Sequence, residues 1–396
     1  MTDRRGWTIL LWLLAVLGMG LLLAGCGPKV QKPASLLDTP EHHTLLGNRL
    51  LEEGQTDEAG RAFEQALRLA PRYSPAHTGV ALVKARGGDF PGAFAALAQA
   101  ERRAESDGET VAALVGQIRV QTLSHAACAR MGTECRPDDA WLRAAKEAWE
   151  RALGIDPKAP EAHYFMGEAH LAALELEPAA QMFGRVVELK GDYAGRADQR
   201  WALLQKIQRA LPGTAAGKRI ALVERLTRAD AAALLVEELQ IEKLYARRGG
   251  RTPPAFQEPL GAVRAAKQPP ATDIAAHPLR GDIEILLRIG ARGLEVYPDG
   301  SFRPDEPVSR ASYAMLVEDI LVRATGDNAL ATRFIGSPSP FPDLRPDLPY
   351  FNAVMVVTSR GVMEAGNVLS GEFAPLQPVT GADALLVIRK IREALR

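Results

Sequence analysis

The sequence predicts an all-α protein that contains two different kinds of repeated helical pattern. Aromatic residues make up only 6% of the 396 residues, while Ala and Leu are abundant, which favours helices over a β-sandwich or barrel. A pattern of 34 residues recurs in the first half, and a turn-and-helix pattern recurs in the last third. The 48 basic and 48 acidic side chains balance, so we expect no nucleic-acid partner and look for local binding surfaces.

The N-terminal segment has the features of an export signal. An apolar stretch from Ile9 to Leu23 follows two arginines, is shorter than the roughly 20 residues of a membrane-spanning helix, and leads through small residues to Cys26. It resembles a bacterial lipoprotein signal peptide. The resemblance implies removal of residues 1–25, acylation of Cys26 and a tether over 26–39. Gly27 after the cysteine favours the outer membrane, facing the periplasm; an uncleaved anchor is the alternative.

Two cysteines remain after Cys26 is assigned to lipid. In an exported, oxidising compartment, Cys128 and Cys135 are candidates for a disulfide. The loop between them is short, so its closure would contribute only about 2 kcal/mol. A metal site with nearby His125 is the alternative, but structural zinc needs four ligands and no second Cys or His pair lies close in sequence.

The 34-residue pattern begins at Pro40 and predicts paired short helices. A small residue recurs where two helices would cross, and an aromatic residue recurs where the gap must be filled. Gly47 and Phe63 stand at these positions in one copy, and Gly167 and Phe183 in a later copy. The spacing resembles the tetratricopeptide repeat. The resemblance implies a helical-hairpin solenoid over 40–212, with four copies, a capping helix at 194–211, and an insertion near 124–140 that follows a first helix at 109–123.

Stacked repeats of this family present their first helices to a concave groove that binds a protein or peptide. The resemblance therefore implies a partner groove lined by Asn48, Leu51, Leu82, Arg86, Tyr164, Glu168 and Leu171. Each of them is equally compatible with an ordinary surface position. The set lacks the Lys and Asn residues with which some family members hold a C-terminal carboxylate.

The last third of the chain follows a linker rich in Pro and Gly at 249–271. A turn that contains Asp-Gly after Pro precedes a helix capped by Ser309, and the same order returns in the final segment. This resembles the S-layer homology motif. The resemblance implies motifs at 272–324 and 341–396 joined by a linker at 325–340, a partial motif at 218–248, and a pseudo-threefold helical bundle that binds wall polysaccharide.

An arginine at the start of the second helix of each motif is a usual polymer contact in this family. Arg228 and Arg310 match that position, and Gly381 replaces it in the last motif. A guanidinium suits carboxylate, pyruvyl or phosphate groups on a sugar. The alternative is that each Arg only braces the bundle. Asp299 and Arg303, in the turn before Arg310, are the remaining candidate polymer contacts.

No catalytic pattern is present. The seven histidines show no metal-ligand spacing, and neither a nucleophile elbow nor a phosphate-binding loop occurs. We therefore predict a non-enzyme without cofactor or metal: a scaffold held to a membrane through Cys26, to a protein through the groove, and to wall polymer through the bundle. A pilotin-like assembly factor for a pilus or secretion system, with a purely structural bundle, is one alternative. A wall-modifying enzyme is the other.

Overall fold

The computed structural model describes residues 38–131, 139–246, 271–367 and 369–395. Within those ranges the chain is helical, with isolated β-bridges and no β-strand, which confirms the all-α prediction. The signal peptide, Cys26, Cys135 and nearly all of the linker at 249–271 lie outside the described residues. None of the described helices is both long and apolar enough to cross a membrane.

The chain divides into two compact units, with the boundary after Ala197. Unit 1 consists of helical hairpins in which each helix packs on its neighbours in sequence. Its helices are α1 (Pro40–Glu52), α2 (Thr56–Leu69), α3 (Ser74–Arg86), α4 (Phe90–Arg103), α5 (Asp107–Met131), α6 (Ala140–Ile155), α7 (Pro160–Ala172), α8 (Leu176–Leu189) and the first turn of α9 (Ala194–Ala210).

The small and aromatic residues of the repeat meet as the sequence predicts. The Phe63 ring is fully buried, and a Cβ added to Gly47 would lie only 2.6 Å from it. Phe183 is equally buried, 2.9 Å from a Cβ added to Gly167. Any side chain at these glycines would push the helices of a hairpin apart. The repeat pattern therefore marks the residues at which the two helices of one hairpin are in contact.

Helix α5 is longer than the sequence predicted. We expected a helix over 109–123 and an insertion from 124, but α5 runs from Asp107 to Met131. Residues 124–131 contain three alanines and no Gly or Pro, so they continue a helix readily, and Gly132 is the first residue that opposes it. Cys128 lies on this extension. Because Cys135 lies outside the described residues, the disulfide stays a prediction.

Unit 2 has shorter helices and longer irregular connections. Its elements are the rest of α9, α10 (Ala215–Ala221), α11 (Arg228–Ala233) continued by a π-helical turn (Leu234–Glu238), α12 (Ile241–Ala246), α13 (Arg280–Ile289), α14 (Arg310–Thr325), a 3-10 turn (Asn328–Ala331), α15 (Phe351–Ser359) and α16 (Gly381–Ala394).

Three equivalent residues of unit 2 form a closed ring of backbone hydrogen bonds. The Leu226 N–H donates to the Val379 carbonyl at 2.8 Å, Val379 donates to Val308 at 3.0 Å, and Val308 donates to Leu226 at 2.8 Å. Each residue directly precedes a helix N-cap: Thr227, Ser309 or Thr380. The ring is the centre of the pseudo-threefold bundle that the resemblance implied, and the partial motif around Leu226 supplies one of its three members.

Candidate functional site

Arg228 lies in the interior of the bundle. Its side chain is 7% exposed and donates to the carbonyl oxygens of Phe302 at 2.7 Å, Glu295 at 2.7 Å and Gly293 at 3.2 Å. The guanidinium also lies over the Phe302 ring, 4.7 Å from its centroid. Every nitrogen is thus committed to the neighbouring motif, which corrects the prediction that Arg228 contacts wall polymer. It braces the bundle because burial requires each of its donors to have an acceptor.

Arg310 occupies the equivalent position but remains half-buried. It donates from Nε to the Phe373 carbonyl at 2.8 Å and from Nη2 to the Glu364 carbonyl at 2.6 Å, and lies over the Phe373 ring. Its Nη1 makes no hydrogen bond to a described residue. Arg310 therefore combines a bracing contact with an unused donor at the edge of a cleft, and polymer contact at this position stays a prediction.

Gly381 stands at the third equivalent position, and the structure explains why no arginine is there. A Cβ on Gly381 would lie 1.7 Å from the carbonyl oxygen of Ile220. Helix α10 ends against α16 at this point, where the other two interfaces have an irregular turn, and the Gly381 N–H donates to the Val223 carbonyl at 2.9 Å. The partial first motif thus closes the third interface with its own backbone and leaves no room for a side chain.

The cleft beside Arg310 has a volume of about 490 Å³ and a mixed polar and apolar lining. Four of its residues are basic and two are acidic. Lys206 pairs with Asp383 at 2.6 Å, and Lys390 pairs with Glu364 at 2.7 Å. The lining comprises Lys206, Arg209, Arg310, Val362, Met363, Glu364, Ala365, Gly366, Val379, Asp383, Leu386, Val387 and Lys390.

Arg209 and Arg310 are the two basic residues of this cleft that have no ion-pair partner in the part of the chain that the structure describes. Together they give the cleft an excess of positive charge that two acids do not neutralise. Sequence analysis did not select Lys206, Arg209 or Lys390. They lie on α9 and α16, far from each other in sequence, and neither helix carries a motif for them.

Asp299 and Arg303 form an exposed pair on the turn before α14. Arg303 donates from Nη2 to Asp299 at 3.0 Å and lies over the Tyr297 ring, 4.1 Å from its centroid. The Ser301 hydroxyl and N–H, and then Arg303, hold the pKa of the Asp299 carboxyl far below its usual range. Both side chains are about half exposed. They remain accessible to a ligand, and their role in polymer binding stays a prediction.

Most of the predicted groove residues of unit 1 are core residues instead. Leu51, Leu82, Tyr164 and Leu171 are at most 7% exposed, because the tight hairpins bury this side of each first helix among its neighbours. Asn48 and Arg86 are exposed and Glu168 is half-buried, and their role in partner binding stays a prediction.

Buried histidines in unit 1 serve helix packing. His77 is 8% exposed and contacts the Pro71 carbonyl at 3.0 Å, while His163 is 6% exposed beside Trp149. Burial lowers the pKa of both imidazoles. Among the described residues no group of three or more His, Cys, Asp or Glu side chains lies close enough to hold a metal ion.

Comparison with known proteins identifies both repeat types. A tetratricopeptide repeat family model matches residues 50–118, and an S-layer homology domain model matches residues 294–314 and 340–385. Human "Tetratricopeptide repeat protein 34" is 33% identical over 97 residues, which is 24% of this chain and 17% of that protein. The chain thus spans about a sixth of the length of this curated relative.

A solved structure titled "Functional Characterization of Pseudomonas Aeruginosa pilF" is 17% identical and covers 44% of this chain and 93% of its own, with a TM-score of 0.20. A likeness at that score carries no argument. The S-layer homology matches do not include residues 218–248, whose helix start the hydrogen-bonded ring places as the third member of the bundle. The chain contains tetratricopeptide repeats followed along the sequence by S-layer homology motifs.

Proposed function

We propose that this protein is a non-catalytic scaffold of the bacterial envelope. Tetratricopeptide repeats support a protein partner, and S-layer homology motifs support association with a cell-wall polymer. Acyl chains on Cys26 hold the N-terminus to the outer membrane, on its periplasmic side, since two or more chains anchor firmly where one is marginal. The protein then connects a membrane, a wall polymer and a bound protein.

The cleft around Arg310 is the observation that carries the wall-binding part of the proposal. Its four basic residues exceed its two acidic ones, and the Arg310 Nη1 and Arg209 guanidinium groups have donors to spare. A planar guanidinium binds carboxylate and phosphate groups through paired hydrogen bonds. The accessible apolar residues of the cleft, Ala365 and Leu386, suit the faces of sugar rings. The ligand is thus an acidic polysaccharide whose charged group contacts Arg310 and Arg209.

Co-sedimentation of the purified chain from Gly27 onward with isolated cell-wall sacculi tests this proposal. We expect the protein to pellet with intact sacculi and to stay in the supernatant when the wall-linked acidic polysaccharide has been removed. The double variant Arg209→Gln with Lys390→Gln should weaken the binding about tenfold, because it removes the charge-assisted contact of Arg209 and a second positive charge of the cleft.

Arg310→Ala should have a comparable effect, but Arg310 also braces the bundle, so the double variant is the decisive one. Arg345→Gln is the matched control, since Arg345 is 75% exposed outside the cleft. Unaltered pelleting of the double variant, or equal release by Arg345→Gln, would show that wall polymer does not bind in this cleft.

A further inference from the structure

One arginine of unit 1 stacks on an aromatic ring but has no hydrogen-bond or ion-pair partner among the described residues. The guanidinium of Arg119, on α5, makes no hydrogen bond or ion pair with any residue that the structure describes. It is half-buried and lies over the Phe165 ring, 4.4 Å from its centroid. A guanidinium has five N–H donors, and it is unfavourable to leave donors without acceptors in a partly buried environment. An anion from outside the chain would satisfy them.

Two more arginines lie near Arg119. Arg196 stacks on the Tyr193 ring at 4.7 Å and pairs with Glu52 at 3.4 Å. Arg86 uses one donor for the Leu51 carbonyl at 2.5 Å, and its other donors bond to no residue in the described ranges. Three positive charges therefore lie close together, and the Glu52 carboxylate pairs with Arg196 and acts on Arg119. Such a like-charged cluster persists only where solvent or a ligand compensates it.

Electrostatics inside the cluster support this description. Burial is the main reason that the pKa of Arg119 falls to about 10, and Arg86 and Arg196 lower it further, while Glu52 and Tyr193 oppose them. At neutral pH the guanidinium still carries its charge. Its environment thus makes the charged form less favourable than in water. A bound anion would stabilise the charged form.

Aromatic rings define the other half of the site. Phe165 and Tyr164 stand on α7, and Tyr193 precedes α9 and packs against both, with ring centroids 5.7 and 5.1 Å away. The rings offer an apolar contact next to the arginines. A ligand that fits both features has a negative group close to an apolar one.

We propose that this surface, formed by Glu52, Arg86, Arg119, Phe165, Tyr193 and Arg196, binds an acidic segment of a partner protein, with an Asp or Glu side chain on Arg119 and an adjacent apolar side chain on the rings. The inference rests on the proposed scaffold function, for which it names the chemistry of the partner. A segment with several acids fits better than a single terminal carboxylate, because the three arginines lie on different helices.

Two segments of the chain outside the described residues do not have this chemistry. Residues 26–37 contain two lysines and no acid, and residues 247–270 contain five basic residues and one glutamate. Both would be repelled by the arginine cluster. Residues 132–138 do contain Glu134 and Asp138, but they follow Met131, which lies about 18 Å along α5 from Arg119. The occupant that we propose is therefore a segment of another protein.

Selection of displayed random 12-residue peptides on the immobilised chain from Gly27 onward tests the inference. We expect the enriched peptides to contain two or more Asp or Glu residues beside an apolar residue. The most enriched peptide should bind Arg119→Gln at least tenfold more weakly than the unaltered protein and should lose affinity with added salt. Arg119→Lys should retain part of the affinity, because it keeps the charge but not the fork.

Arg61→Gln is the matched control, because Arg61 is 68% exposed and lies on α2, the second helix of the first hairpin. This substitution should leave the affinity unchanged. Enrichment of neutral or basic peptides would overturn the acidic partner and leave the scaffold proposal in place. The inference of an acidic partner would also be overturned if the peptide bound equally well with its Asp and Glu residues changed to Asn and Gln. It would be overturned too if Arg119→Gln had no effect on the affinity. Absence of any enrichment would overturn the inference together with partner binding by unit 1, whereas sedimentation with sacculi reports separately on unit 2.

Discussion

In unit 1 each helix packs on its neighbours in sequence, whereas in unit 2 the central hydrogen bonds join Leu226, Val308 and Val379, which are far apart in the chain. Both units repeat a short pattern, but one stacks its copies and the other closes them into a ring. A destabilising substitution in a stacked array affects mainly the neighbouring repeats, because each repeat contacts only the next. A substitution that breaks the closed ring disturbs a contact that all three motifs share.

The largest expected effect comes from Phe63→Ala in unit 1. Phe63 is fully buried and its ring packs against Gly47, so truncation should cost about 4 kcal/mol through lost contacts and a cavity. Hydrogen exchange should show lost protection in α1 to α4 and little change in α7 and α8. Leu46→Ala is the control, because Leu46 is 41% exposed. Uniform loss over unit 1 would mean that its repeats unfold together.

Gly381→Ala should have the next largest effect, in unit 2. The added Cβ would collide with the Ile220 carbonyl, and relief of such overpacking requires backbone movement at a cost of about 3 kcal/mol. Exchange protection should fall at all three motifs, since the ring is shared.

Gly281→Ala is the matched control on α13, where nothing lies within 4 Å of the new Cβ. It should be neutral, or should stabilise by up to about 1 kcal/mol by restricting the unfolded chain. If Gly381→Ala affected only α10 and α16, the cooperative description of unit 2 would be wrong.

Substitution of Arg228 should lower the free energy of unfolding more than substitution of Arg310. Arg228→Met removes three hydrogen bonds from a buried guanidinium to backbone carbonyls, and Arg310→Met removes two at a half-buried site. We expect losses of about 3 and about 2 kcal/mol respectively, as typical of bonds to a charged group. Urea unfolding measures both. Arg345→Met should change little, since exposed ion pairs contribute little, and a larger loss for Arg310→Met than for Arg228→Met would contradict the assigned roles.

Glu238 should give the smallest effect, visible as a dependence on pH. Burial alone would raise the pKa of its carboxyl, but the Thr214 N–H and hydroxyl, the Gly213 N–H and Arg392 together hold it below its usual value. A depressed pKa stabilises the fold above the unfolded value and loses that contribution as pH falls through the folded value. Unfolding of the unaltered protein and of Glu238→Gln at pH 6, 4 and 3 should therefore show a difference that shrinks with acid. Exposed Glu224→Gln serves as the control, and a constant difference would exclude this role of Glu238.

Much of the fold follows from local sequence. The 34-residue spacing locates the hairpins because a glycine and a phenylalanine must meet wherever two helices touch, and Ser309 marks the start of α14 because a hydroxyl there accepts from the Ser312 N–H. The end of α5 was misplaced because we took the first helix of this repeat to end at 123, before an insertion, although the composition of 124–131 lets the helix continue to Met131. The lipid anchor and the disulfide remain sequence predictions.

The sequence by itself determined the helical class, the two kinds of repeat and the equivalence of Arg228, Arg310 and Gly381. Only the tertiary structure decided what those positions do: Arg228 is enclosed by carbonyls, Arg310 faces a cleft, and Gly381 leaves space for the Ile220 carbonyl. It alone brought Lys206 and Lys390 to that cleft. The reason is that a motif specifies a backbone position, whereas burial and charge around a side chain depend on segments that are distant in sequence.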